Sequence, residues 1–182
     1  MRLLSLVLLL LLALGGAVGW VVRSEPDWYL RARYPLKYEQ SIRASAKAHD
    51  LDPALLASVV YVESRFDPDA HSDAGAVGLM QLLPETAEGI ALRTGGTSFV
   101  VDDLRDPDLN IRYGSWYLDH LLERYGSVDS ALAAYQAGQG NVDRWLASSA
   151  GIRFPETRAY VSEVERVRRV YAEAYPSELG LR

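Results

Sequence analysis

What most constrains the fold is a recurring form of helix punctuation. Asp52-Pro53 pairs an N-cap residue with a proline at the first helical position, and Asp106-Pro107 repeats the device. The second pair opens a run that ends at Tyr125-Gly126, where glycine can terminate a helix. Ser127 then caps VDSALAAYQA, which Gly138 stops, and Pro155 opens a last helix. On that helix Tyr160, Val161, Val164, Val167 and Tyr171 share one face at helical spacing. Alternating strand patterns are nearly absent. The expectation is an all-α domain of several short helices. Two stretches, 67–78 (DPDAHSDAGAVG) and 93–106 (RTGGTSFVVDDLRD), hold too much glycine, aspartate and serine for helix interiors and read as loops. Asp67, Asp69 and Asp73 resemble a calcium loop, but the glycine and closing glutamate of that motif are missing at the required offsets.

The N-terminus stands apart. Residues 3–22 form an uncharged, mostly apolar run of 20. At 1.5 Å per residue it covers about 30 Å, the thickness of a bilayer's hydrocarbon core. An uncleaved membrane anchor is expected, with a cleaved signal peptide as the alternative; Ala17-Val18-Gly19 resembles a cleavage site. Either one exports the remainder. Arg2 favours a cytoplasmic N-terminus, which puts the rest on the cell-wall side, although Arg23, Arg31 and Arg33 pull the other way. The expected organisation is an anchor or signal over 1–22, a linker over 23–38, one domain over 39–175 and a tail over 176–182.

Charge and residue usage narrow the chemistry. With 24 acidic and 19 basic residues, the chain has no basic excess to neutralise a nucleic acid. It has no cysteine, hence no disulfide, thiolate metal site or cysteine nucleophile. Its three histidines, His49, His71 and His120, lie far apart and form no metal-binding pair. No metal or other cofactor is expected.

One carboxylate breaks the pattern. On a helix that begins at Pro53, residues Leu55, Leu56, Val59, Val60 and Val62 fall within an arc of roughly 160°, and Glu63 falls inside it. That spacing aims an acid inward at the last turn of a buried helix, beside a glycine-rich loop. Burial and the negative end of the helix dipole both disfavour the anion, so a raised pKa is expected. A carboxyl still protonated near neutrality suits donation to a leaving-group oxygen. The alternatives are that Glu63 pairs with a buried arginine, or that the helix frays before reaching it. Ordinary glycosidases pair such an acid with a second carboxylate. Asp67, Asp69, Asp73, Asp102 and Asp103 are available, but spacing singles out none of them.

Four blocks occur in order: Glu63-Ser64, AHSDAGAVGLMQLLPETA (70–87), AAYQAGQGNV (133–142) and FPETRAYV (154–161). Together they resemble the lytic transglycosylase catalytic domain of the soluble, goose-lysozyme-like kind, glycoside hydrolase family 23, over about residues 39–175. The resemblance implies a lysozyme-like, all-α domain that cleaves the β-1,4 bond between N-acetylmuramic acid and N-acetylglucosamine of peptidoglycan and leaves a 1,6-anhydro end. It also implies that Glu63 is the sole acid/base, assisted by the substrate's own N-acetyl group, which accounts for the missing partner.

The resemblance assigns further roles one by one. The Ser72 hydroxyl would support the N-acetyl group, and Met80 and Gln81 would line the groove beside the muramyl sugar. The Tyr135 hydroxyl would lie near the acid, and the Glu156 carboxylate would meet the stem peptide. Gln136 departs from the family's usual asparagine and adds a methylene to a substrate-binding position. Tyr160, Trp116 and Trp145 read as core. The expected partners are peptidoglycan strands and, through the leader, the membrane; the protein is expected to be a monomer and not to bind nucleic acid. A hydrolysing muramidase remains the enzymatic alternative. A peptidoglycan-binding scaffold with a vestigial site is another, with Gln136 its only support.

Overall fold

The computed structural model describes residues 23–181 together with 7, 11, 14–16 and 19–21. The expected membrane anchor or signal over 1–22 falls largely outside the described residues. Among the described residues no helix is long and apolar enough to cross a membrane.

The chain divides into two compact units, Met1–Pro35 and Leu36–Arg182. The first carries α1 (Asp27–Arg33), which begins directly after the extended Pro26. The second carries seven α-helices: α2 (Glu39–Ala48), α3 (Pro53–Ser64), α4 (Pro84–Thr94), α5 (Pro107–Tyr125), α6 (Val128–Ala137), α7 (Gln139–Ala147) and α8 (Pro155–Ala174). A 3-10 turn over Val101–Arg105 precedes α5. The described residues contain no strand, only isolated bridges joining His71 to Val77 and Val77 to Leu82. The all-α expectation is met.

The punctuation works through the expected atoms. The Asp52 carboxylate accepts from the Ala54 N–H at 2.8 Å, and Asp106 accepts from the Leu109 N–H at 2.8 Å. Ser127 accepts from the Ser130 N–H at 3.3 Å, and Gly126 closes α5 in the left-handed region at φ 66°. The loop over 67–78 is as expected. The stretch 93–106 is only partly a loop: Arg93 and Thr94 finish α4, and Val101–Arg105 coil into the 3-10 turn.

At the centre lies α3, packed along α8 and against α2. Its residues Ala54 to Tyr61 are all buried, so the helix is enclosed on every side rather than along one arc. Val62 is only partly buried, and the last turn emerges from the core. The buried Ser58 hydroxyl donates to the Leu55 carbonyl at 2.7 Å. From α8, Val164, Val167 and Tyr171 are fully buried on the expected face. A second apolar cluster, including Leu82, Ile90, Leu104 and Tyr113, ties α4, the 3-10 turn and α5 together beneath the loop that follows α3. Residues beyond 175 fold back: Leu179 is buried and its N–H bonds the Tyr175 carbonyl at 3.0 Å.

Candidate active site

The site is built where α3 stops. Arg65 and Phe66 both take left-handed backbone angles (φ 52° and 62°), which turns the chain sharply out of the helix. Phe66 is drawn wholly into the core beside Tyr61 and Tyr171, and this anchors a turn that costs L-residues conformational energy. The Ser64 hydroxyl donates to the Leu79 carbonyl at 2.8 Å, which fastens the last helical turn to the loop over 67–83.

That loop owes its shape to Asn110 on α5. Fully buried, Asn110 accepts from the Met80 N–H at 2.8 Å and donates to the Val77 and Leu104 carbonyls at 3.0 and 2.8 Å. Gly78, at φ 80°, runs so close that a Cβ there would collide with the Asn110 amide and the Leu104 carbonyl. Sequence reasoning missed Asn110. A single asparagine in a helix carries no local sign of partners some thirty residues upstream.

Glu63 sits in the last turn of α3, and the helix does not fray before it. Burial pushes its carboxyl up from the ordinary 4.5 to about 7, and a hydrogen bond from Tyr160 partly offsets the rise. Tyr160 on α8 donates its hydroxyl to Glu63 Oε1 at 2.6 Å. The partner is therefore a tyrosine, not an arginine, and Tyr160, read as core, also reaches the acid. Its place beside Val161 on the helical stripe hid it. Tyr135 on α6 donates to the Met80 carbonyl at 2.7 Å and feels the Glu63 charge. Burial, reinforced by that charge, holds both tyrosines well above the ordinary phenol range, so they remain neutral donors.

Four of the five candidate second carboxylates have partners of their own. Arg105 pairs with Asp69 at 3.3 Å and with Asp102 at 3.2 Å, Asp103 accepts from the Val100 N–H, and Asp67 accepts from the Asp69 N–H. Asp73 is exposed on the loop. Among the described residues no group of His, Asp and Glu gathers that could hold a metal ion.

A groove of about 320 Å³ has Gln81, Leu83, Glu85, Tyr117, Tyr135 and Gln136 in its walls; Glu63 and Tyr160 do not line it, and Tyr135, which feels the Glu63 charge, is what links it to the acid. Three expected substrate residues thus meet in one groove. Gln81 spends its amide N–H donors on the Ala70 and Gly78 carbonyls, both at 3.0 Å, and keeps its carbonyl for another partner. Gln136 is exposed, and its amide oxygen accepts from the buried Thr157 hydroxyl at 2.6 Å. Met80 is not a groove residue through its side chain. It is fully buried, in a slot that exists because residue 114 is glycine, and it reaches the site only by its backbone. The exposed apolar wall of the groove is Leu83 instead. Ser72 accepts from the Ala76 N–H at 3.0 Å within its own turn, which leaves the hydroxyl hydrogen unspent. Glu156 is exposed in the first turn of α8, one turn before Tyr160. Neither Ser72 nor Glu156 lines the groove.

Residues 40–154 match the model of the transglycosylase SLT domain. The chain belongs to the SLT transglycosylase family. Relatives of this SLT domain include the soluble lytic murein transglycosylase of Salmonella typhimurium, 33% identical over 75% of this chain and 23% of that protein. The crystal structure of the 70 kDa soluble lytic transglycosylase of Escherichia coli superposes with a TM-score of 0.76 at 30% identity, covering 84% of this chain and 27% of that one. The lytic transglycosylase Slt of Pseudomonas aeruginosa, solved as an inactive glutamate-to-glutamine mutant, gives a TM-score of 0.73 at 30% identity over 84% of this chain and 26% of its own. The SLT domain thus spans about a quarter of the length of these relatives. The family match contains Glu63, Ser72, Gln81, Tyr135 and Gln136. It ends one residue before α8 begins, so the helix that supplies Tyr160 lies beyond it.

Proposed function

We propose that this chain is a murein lytic transglycosylase that cleaves the β-1,4 bond between N-acetylmuramic acid and N-acetylglucosamine of peptidoglycan without adding water. The observation that carries the reading is a carboxyl raised to about 7 and hydrogen-bonded by a tyrosine. Protonated Glu63 donates its proton to the glycosidic oxygen as the C1–O4 bond breaks, and the substrate's N-acetyl group stabilises the muramyl cation. Ionised Glu63 then takes the proton from the C6 hydroxyl as that oxygen bonds to C1. The 1,6-anhydro ring closes and the acid is restored. Neutral Tyr160 and Tyr135 bracket both steps. The murein-cleaving names of the relatives, and the inactive glutamate-to-glutamine form of one of them, support the same assignment.

In this reading Gln81 and Gln136 hold the strand in the groove, Ser72 offers its free hydroxyl hydrogen to the N-acetyl carbonyl, and Glu156 meets the stem peptide at the rim. The leader over 1–22 keeps the domain on the outer face of the cell membrane. The full chain should release anhydromuropeptides from purified peptidoglycan, and Glu63→Gln should abolish release. Mass spectra containing only reducing ends would replace this assignment with a hydrolysing muramidase. Retention on peptidoglycan with no soluble product from the unsubstituted chain would leave a binding protein.

A further inference from the structure

Charge is unevenly distributed along the chain. Residues 23–48, which follow the leader, carry six lysines and arginines against three acids, whereas residues 49–182 carry twelve against twenty-one. The chain's two lysines, Lys37 and Lys47, both lie in the first of these stretches. A cationic excess confined to the part of a chain next to a membrane segment attracts anionic lipid headgroups. Trp20 and Trp28, 63% and 61% exposed, lie beside and within the same stretch, and tryptophan is favoured where a bilayer meets water.

In the second unit this excess meets a cavity. Arg43 and Lys47, one turn apart on α2, line a pocket of about 490 Å³, a size ordinary for small-ligand sites. Buried Leu51 and Leu179 give it apolar walls, and Gln40 adds an amide. No acidic side chain lines it. Among the described residues Arg43 and Lys47 have neither a hydrogen bond nor an ion pair, whereas Arg105, Arg124, Arg166 and Arg168 each meet a carboxylate. The folded-back tail closes one side. Gly180 takes the left-handed region at φ 71°, and a Cβ there would lie 3.5 Å from Arg43 Nε, so the tail borders the guanidinium and limits its swing.

An arginine fork and an ammonium one turn away suit the oxygens of a phosphate, the first in bidentate pairing and the second as a point charge. The two leucines suit the carbon skeleton attached to it. Fifteen residues separate Trp28 from Arg43, at most about 50 Å of extended chain, so a bilayer at the leader is within reach. We propose that this pocket docks the domain on the bilayer by taking the phosphate headgroup of an anionic phospholipid between Arg43 and Lys47. The pocket shares no residue with the groove, and the proposal does not depend on the reaction at Glu63.

The chain lacks cysteine, so one introduced cysteine can carry an environment-sensitive fluorophore. Ala48→Cys, exposed at the end of α2, places it beside Lys47; Ala147→Cys, exposed at the end of α7, is the control. The full chain is mixed with phosphatidylcholine vesicles containing increasing phosphatidylglycerol. Emission from position 48 should move to the blue as phosphatidylglycerol rises, and emission from 147 should not. Arg43→Gln should raise the phosphatidylglycerol fraction at half shift about fivefold. Combined with Lys47→Gln it should abolish the shift, with helix content by circular dichroism unchanged. No shift at any composition, a shift that survives the double substitution, or one of equal size at 147 overturns the docking pocket. A shift already complete in pure phosphatidylcholine overturns the anionic headgroup. A shift produced in phosphatidylcholine vesicles by inorganic phosphate or an acidic peptide makes the occupant a soluble anion and overturns the lipid. Insertion of the leader is read separately, from resistance to alkaline extraction, and cleavage of peptidoglycan has no bearing on the shift.

Discussion

At Glu63 the same desolvation that suits the carboxyl to proton donation works against the folded state whenever the group ionises. The unfolded chain loses this proton near 4.5 and the folded chain near 7. Between those values the folded state holds a proton that the unfolded state has released, so stability falls as pH rises through the window, by about 3 kcal/mol in all. Glu63→Gln has no such window. It should be more stable than the unsubstituted chain above about pH 7, with the gap shrinking toward about pH 5; urea midpoints at the two values check this. Donation needs the protonated form, so kcat/KM should fall as pH rises through about 7. Tyr160 lowers the Glu63 pKa by its hydrogen bond. Tyr160→Phe should therefore move the alkaline limb to higher pH, whereas a tyrosine that only packs would leave the limb in place.

At the scale of elements, the loop over 67–83 is held by one residue of α5. Asn110→Ala would leave the Met80 N–H and the Val77 and Leu104 carbonyls without their partner. Such buried polar groups are costly, and a loss of about 3 kcal/mol in denaturant unfolding is expected. The loop's dependence on a distant helix also explains what was legible in the sequence. Helices α3, α5, α6 and α8 announce themselves through Asp52, Asp106, Ser127 and Pro155, because a cap or an initial proline acts on its own first turn. Helices α2 and α7 start without any side-chain cap, after a left-handed Tyr38 and after Gly138, and went unread. In α4 the initial Pro84 was masked by Gly89 and Gly95. Glu63 was legible because its conflict with neighbouring valines is local. Tyr160, Asn110 and the slot that removes Met80 from the groove depend on contacts between segments far apart in sequence, which no spacing rule records.

Over the whole molecule, the ends of the second unit are drawn together around α3. Arg168 of α8 meets Asp52 at 2.6 Å, the residue that caps α3, and Leu179 is buried beyond the last helix. Leu179→Ala should cost about 3 kcal/mol through lost burial and the cavity it leaves. A lowered melting temperature with unchanged helix content before the transition would register it. The bond from Tyr160 to Glu63 joins residues 97 apart in sequence. A ribosome makes the acid early and the tyrosine late, and α8 must be complete before it can lie along α3. A nascent or prematurely terminated chain therefore carries an ordinary, water-exposed glutamate. A chain that ends before α8 lacks the Tyr160 hydroxyl at Glu63 and, under the proposed function, should leave intact any glycan it touches.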